Sequence, residues 1–493
     1  MKRAIRVDPA DHVATLLEDA AAGDLIRAGA DEVRAREPVA RGHKVALVPC
    51  SAGESVIKYG AAIGVTTRDI AVGDHIHLHN LRTALGDTLE YRYAPPAAEL
   101  GPPAASGPWL GFRRPDGRVG TRNEIWVLPT VGCVARTAQR IAAAADAKYR
   151  GAIDGVYAFA HPHGCSQLGD DLAGTRSILA ALANHPNAGG VLIVGLGCEE
   201  NQLHDLLAEL PPERLPAVRT LSAQSAGDEI AEGAALIAEL VAQAAPARRE
   251  SVGLAELVVG VKCGGSDGLS GLTANPLVGR ISDAVAGAGG RVILTEIPEI
   301  FGAEQQLMNR AADEAVFQDT VALVNGFKRY FLDHGEPVSE NPSPGNLAGG
   351  ITTLEEKSLG AVQKGGHAAL VDVLRYAGQV RRAGLTLLEA PGNDAVSSTA
   401  LAAAGATIIL FTTGRGTPMG FPVPTLKIAS NSALAARKAG WIDFDAGTVL
   451  EDGFQTAGAA LLDTLLGIAS GQSTAAERNG EREIAIWKRG VTL

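Results

Sequence analysis

"GVLIVGLGCEENQ", residues 190–202, is an apolar run that stops at a glycine, meets a cysteine and turns polar. An amphipathic helix repeats its apolar residues every three or four positions, and a half-exposed strand alternates them. This run does neither, which is the pattern of a strand covered on both faces. Six other stretches share it: EIWVLPTVGC (124–133), GVYAFAHPHGC (155–165), ELVVGVKCGG (256–265), RVILTEIPE (291–299), GLTLLEAPGN (384–393) and ATIILFTTGRGT (406–417). Ala/Leu-rich stretches of helical character lie between them. The alternation predicts parallel strands with helices on both faces.

Outward from this region the pattern changes. The first 90 or so residues hold short strand-like runs, RAIRVD (3–8), HKVALVP (43–49) and DHIHLHNLRT (74–83), with turn signals between them. APPAAELGPPAASGP (94–108) has no apolar periodicity and reads as a linker, and AQAAPARRESVG (242–253) marks a second break. The expected fold class is α/β, with three units: a small β domain at 1–94, a first α/β part at 108–245 and a C-terminal α/β part at 250–493.

Composition narrows the function. A net charge of -11 argues against nucleic acid or an anionic membrane surface as partner. The N-terminus lacks the apolar core of a signal peptide, and no 18-residue uncharged apolar run exists. Five cysteines without CxxC spacing do not form a disulfide framework. The expectation is a cytoplasmic protein acting on a small molecule, and a homo-oligomer is compatible with it.

Four cysteines share one setting, an apolar strand and then the thiol: Cys133, Cys165, Cys198 and Cys263, spaced 32, 33 and 65 residues apart. That pitch suits βα units, with two in the last gap. Ligands of parallel sheets bind beyond the carboxyl ends of strands, where these thiols fall. A single such cysteine is more often a small buried hydrophobe. Four in equivalent places suggest ligands for a soft or borderline metal, Fe(II) included, or for an iron–sulfur cluster. Separately, HIHLHN (75–80) has the alternation of a strand, which would put His75, His77 and His79 on one face.

Long runs in this sequence closely resemble the altronate/galactarate dehydratase family. They include VGTRNEIWVLPTVGC (119–133), GCSQLGDD (164–171), VGLGCEENQ (194–202), KCGGSDGLSGLTANPLVGR (262–280) and TEIPEIFGAEQ (295–305). ENPSPGNLAGGITTLEEKSLG (340–360), APGNDAVSSTALAAAGATIILFTTGRGTP (390–418), ARGHKVAL (40–47) and ERNGEREIAIWKRGVTL (477–493) extend the likeness over nearly the whole chain. The resemblance implies an N-terminal β domain of the SAF type, a larger α/β catalytic part, and dependence on Fe(II) or a similar cation such as Mn(II). It also implies dehydration of a sugar acid: first D-altronate to 2-dehydro-3-deoxy-D-gluconate and water, with galactarate or another aldonate or aldarate as alternatives. A sulfolactate-type carbon–sulfur lyase is a more remote variant. The family's GHK and HxHN patterns fall on His43 and on His77 and His79 here, and imply a lid carrying imidazoles, with His43 at the metal.

Dehydration next to a carboxylate needs a base near C2, a cation for the developing enediolate and help for the hydroxyl leaving C3. Candidate bases are His77, His79 and His161. Candidate substrate contacts are Arg122 and Asn123 in GTRN, Asn393, Arg415 in TGRG, and Lys427; Asp267 and Glu199 could ligate a metal or bind hydroxyls. Glu296, Glu299 and Glu304 follow a strand, and the resemblance adds Lys357 as an anchor. The candidate metal ligands are Cys133, Cys165, Cys198, Cys263 and His43. A nicotinamide oxidoreductase is disfavoured, because VGLGCEENQ has Glu200 where a third glycine would fall. A pure carbohydrate-binding module has no need of strand-end thiols.

Overall fold

Continuous burial along residues 121–131 and 408–414 shows why their sequences do not alternate: both faces of these strands are covered. The computed structural model describes residues 1–86, 88–94 and 107–493. The expected linker at 94–108 therefore falls almost entirely outside the described residues.

Residues 1–82 form two small sheets and, among the described residues, no helix. Six strands run in the order Asp31–Arg34, Leu25–Ala28, Lys2–Ile5, Val13–Leu16, Lys44–Ala46 and His75–Ile76. A second sheet pairs Ser55–Lys58, Ala61–Thr66 and Leu81–Arg82. This is the strand-built SAF-type unit that the resemblance implies.

The next part opens with Trp109–Arg113, which pairs with Val119–Gly120 and with Glu250–Val252, so the chain returns to its starting point before moving on. Between them lies a four-stranded parallel sheet in the order Gly155–Ala158, Glu124–Pro129, Ala188–Gly195, Val218–Ser222. Its helices follow local rules. Helix Glu229–Ala244 begins where the Asp228 carboxylate caps the amides of Ile230 and Ala231, and it buries Ile237, Leu240, Val241 and Ala244 on one stripe.

The C-terminal part is a seven-stranded parallel sheet in the order Leu370–Leu374, Gly384–Leu388, Arg291–Leu294, Val258–Cys263, Ile408–Thr413, Thr425–Ala429, Phe444–Asp445. The two α/β parts share one core, which includes Trp126 and Ile193 from one sheet and Ile293 and Phe411 from the other. The step from Cys198 to Cys263 thus holds the last strand of the smaller parallel sheet, the return strand Glu250–Val252 and a crossing between sheets, rather than two units of one sheet. Each sheet starts in its interior and grows outward in both directions. That produces a switch point beside Glu124–Pro129 in one and beside Val258–Cys263 in the other, the usual place for a ligand.

Candidate active site

At the switch point of the larger sheet, the loop after Cys263 meets the loop after Thr413. The amides of Gly414 and Arg415 both donate to the carbonyl of Gly265 at 3.1 Å. Asp267 shapes this loop from within: its carboxylate accepts Ser270 and Ser430 hydroxyls at 2.9 Å and the Asn431 amide at 3.1 Å. With those partners it is a brace, and not the metal ligand its position suggested. Arg415 is exposed, and among the described residues its guanidinium meets only the Gly345 carbonyl, at 3.3 Å. It is the one expected basic anchor left free to take an anion.

The N-terminal unit docks on these same loops. Gly42 and Gly268 approach so closely that a Cβ on Gly268 would lie 1.9 Å from the Gly42 carbonyl oxygen. Lys44 donates to the Gly350 carbonyl, the Thr352 hydroxyl and the Glu356 carboxylate, each at 2.8 Å. Lys58 pairs with the other Glu356 oxygen at 2.8 Å, and all three charged groups are buried. Burial alone would raise the Glu356 carboxyl, but Lys44 and Lys58 hold it down at about 2. Burial takes Lys44 down to about 8, against the pull of Glu356.

This docking carries four imidazoles into the site. His43 and His75 share a hydrogen bond of 3.0 Å between Nδ1 and Nε2, and the ring centroids of His43 and His77 are 5.0 Å apart. His75 also stacks on His77 and touches His79, at 5.5 and 5.4 Å. The strand ends at Ile76, so the row is not a strand face. Asn80, fully buried, ties the His77 amide to its side-chain oxygen and donates to the His75 carbonyl, folding 77–80 into a turn. His75, in contact with His43, His77 and His79, is therefore at the centre of the cluster. Burial, then the neighbouring charges of His43, His77 and Lys44, lowers His75 to about 3; burial and Lys44 lower His77 to about 4. His43 is lowered for the same first reason. His77 Nδ1 is held by the Thr352 hydroxyl at 2.9 Å. Glu37, His75 and His79 bring one ligand atom each within 4.8 Å of one another. A carboxylate with imidazoles is a donor set suited to a divalent transition metal, His75 being neutral near pH 7.

Helix Pro344–Ala348 links the two features. Its start touches Arg415 through Gly345, and its last residue, Ala348, lies beside the His43 ring. Gly345 and Ala348 are three residues apart, about 4.5 Å of helical rise.

Other expected residues lie elsewhere. Arg122 is buried with every N–H spent on Glu477 and on the carbonyls of Thr121, Ile468 and Gln472. Asn123 is buried between Arg114 and the Ala244 carbonyl. Lys427 sits under the 414–419 loop and holds the carbonyls of Thr417 and Met419. Asn393 caps its helix through the amides of Ala395 and Val396. His161 is no free base: Nε2 donates to the Pro129 carbonyl at 2.8 Å, Nδ1 accepts the His163 amide, and burial lowers it to about 4. These five hold the fold around the site.

The thiols divide. Cys133, Cys165 and Cys198 are exposed beyond the smaller sheet, whereas Cys263 is buried in the larger one. Cys263 stands 2.7 Å from the Lys364 ammonium and near Glu299, and burial pushes its thiol up to about 12. Its ligand atom lies with those of Glu296 and Glu299 within 4.8 Å, but lysines already occupy the group. Glu296 pairs with Lys262 and Lys364, Glu299 with Lys357, and nearby Glu304 with Lys328, so neither these carboxylates nor Lys357 is free for a ligand. Glu199 likewise accepts the Thr130 hydroxyl and the amides of Leu196 and Gly197. The buried Lys44–Glu356–Lys58 group went unforeseen, although a lysine inside the apolar HKVALVP run signals an inward charge.

Three family models cover the chain: the altronate/galactarate dehydratase SAF domain at residues 2–84, the second domain of D-galactarate dehydratase/altronate hydrolase at 111–245, and the C-terminal D-galactarate/altronate dehydratase domain at 254–492. The chain is 50% identical to an altronate dehydratase of Escherichia coli K12, over 99% of both chains. It is 46% identical to one of Bacillus subtilis 168 over 100% of both. A galactarate dehydratase (L-threo-forming) of Escherichia coli K12 is 33% identical over 95% of this chain and 93% of its own. The chain belongs to the D-galactarate/altronate dehydratase family.

Proposed function

We propose that this chain is a metal-dependent hydro-lyase that converts D-altronate to 2-dehydro-3-deoxy-D-gluconate and water. The observation that carries the reading is the placement of Arg415 and the imidazole cluster at opposite ends of one short helix. A carboxylate on the Arg415 guanidinium directs C2 and C3 toward the imidazoles. His77, aimed by Thr352 and kept neutral near pH 7 by burial, takes the C2 proton at Nε2. Glu37, His75 and His79 would hold Fe(II) or Mn(II), with His43 bonded behind His75. When bound, the cation supplies charge to the enediolate and assists the hydroxide leaving C3. The Gly265 and Ser266 amides, whose loop neighbours Gly264, Asp267 and Gly268 already donate within the protein, add donors near the carboxylate. The first choice of D-altronate over galactarate rests on the higher identity to the altronate dehydratases.

The test is turnover by protein purified without oxygen and supplied with Fe(II) or Mn(II). Formation of 2-keto-3-deoxy acid is followed from D-altronate, galactarate and other aldonates. D-Altronate should show the highest kcat/KM. A larger kcat/KM for galactarate would move the assignment within the family, and no turnover with any acid after metal loading would reject the proposal.

A further inference from the structure

Three thiols have no part in the chemistry proposed above, and they share one place. Strands Gly155–Ala158, Glu124–Pro129 and Ala188–Gly195 are neighbours in that order, and Cys165, Cys133 and Cys198 lie in the loops beyond their carboxyl ends. This is the switch point of the smaller sheet. All three cysteines are free and exposed. A packing role explains a buried thiol such as Cys50; an exposed one has no such reason to be cysteine.

The loops are fixed to one another around the thiols. The Gly132 amide donates to the His163 carbonyl at 2.9 Å, and Asn201 bridges Gly164 and Thr130 at 3.0 Å each. A Cβ on Gly164 would fall 2.1 Å from the Thr130 carbonyl oxygen, so the contact beside Cys165 requires glycine. Gln167 is only 5% exposed and is anchored by its oxygen to the Gly164 amide and the Thr175 hydroxyl. Its Nε2 is buried there with no acceptor among the described residues. A buried donor without a partner, two residues from a thiol, points to a missing acceptor.

A single ion is the less suitable group here. One tetrahedral ion with sulfur at about 2.3 Å needs thiols about 3.8 Å apart. Among the described residues these three do not form a group whose ligand atoms lie within 4.8 Å. A polynuclear cluster binds each thiolate through a different iron and spans a wider gap. We infer that Cys133, Cys165 and Cys198 hold a [4Fe–4S] cluster through three thiolates, leaving one iron without a cysteine ligand.

The full chain, purified without oxygen and reconstituted with ferrous iron and sulfide, tests this directly. Acid-labile sulfide should match iron at the cluster, with broad visible absorption that bleaches on reduction. Cys133→Ala, Cys165→Ala and Cys198→Ala should each lose most of that absorption, while Cys263→Ala keeps it. In the unmutated protein, reconstitution should shield these three thiols from alkylation, read by mass spectrometry, so the result does not depend on a variant folding. No acid-labile sulfide in the reconstituted protein, full absorption in the triple variant, or unhindered alkylation of all three thiols would overturn the inference.

Discussion

Arg122 and Arg415 each follow a glycine-containing stretch, and both offered a carboxylate anchor in the sequence. They differ because Glu477, 355 residues away, uses up one of them. Nothing local to GTRN encodes that partner, so only the fold could separate the two. Arg122→Ala should leave buried Glu477 with Arg482 as its one remaining arginine partner and strip the carbonyls of Thr121, Ile468 and Gln472 of a donor, costing about 3 kcal/mol of stability. Arg415→Ala should leave the thermal transition almost unchanged and lower kcat/KM on the order of 100-fold, as expected for a charged contact worth about 1.5–3 kcal/mol. Circular dichroism melts and steady-state kinetics on the two variants check the contrast, and equal effects would contradict it. His161 shows the same limit: a histidine beside a strand end looks like a base until both nitrogens are found on backbone.

At the scale of elements, the sequence announced its strands and hid its turns. The apolar runs were legible because burial on both faces removes alternation. HIHLHN alternates like a strand but leaves the sheet after Ile76 in a turn, because Asn80 captures the His77 amide and the His75 carbonyl. The docking of helix Leu354–Ala361 on the N-terminal unit depends on Glu356. Its folded pKa of about 2 lies below the ordinary 4.5. The stabilisation is therefore complete above pH 4.5 and is lost as pH falls from there toward 2. By linkage it amounts to about 3 kcal/mol. Melting temperature should drop through that window, and Glu356→Gln should remove the drop at the cost of two unpaired lysines. Gly268→Ala should force the Gly42 contact apart and abolish turnover while leaving both parallel sheets folded, which hydrogen exchange can report.

For the molecule as a whole, the break at 242–253 was legible in the sequence, and the return strand lying within it was not. Equal spacing of thiols suggested one row, yet a return strand at Glu250–Val252 closes the first α/β part before the second begins. The site is built across units: imidazoles from the first 80 residues and Arg415 from the last sheet. A chain lacking residues 1–94 should accordingly show no turnover, even with metal supplied, and a metal chelator should silence the intact enzyme until Fe(II) or Mn(II) is restored. Recovery by any other route would contradict a shared centre. The buried contact of Lys44 with Glu356 also sets a schedule for the nascent chain. The two residues are 312 positions apart, so at about 5–20 residues per second the ribosome exposes an N-terminal unit with two unneutralised lysines for roughly 15–60 s before their counter-ion emerges. During synthesis that unit waits, charged and undocked, on a partner not yet made.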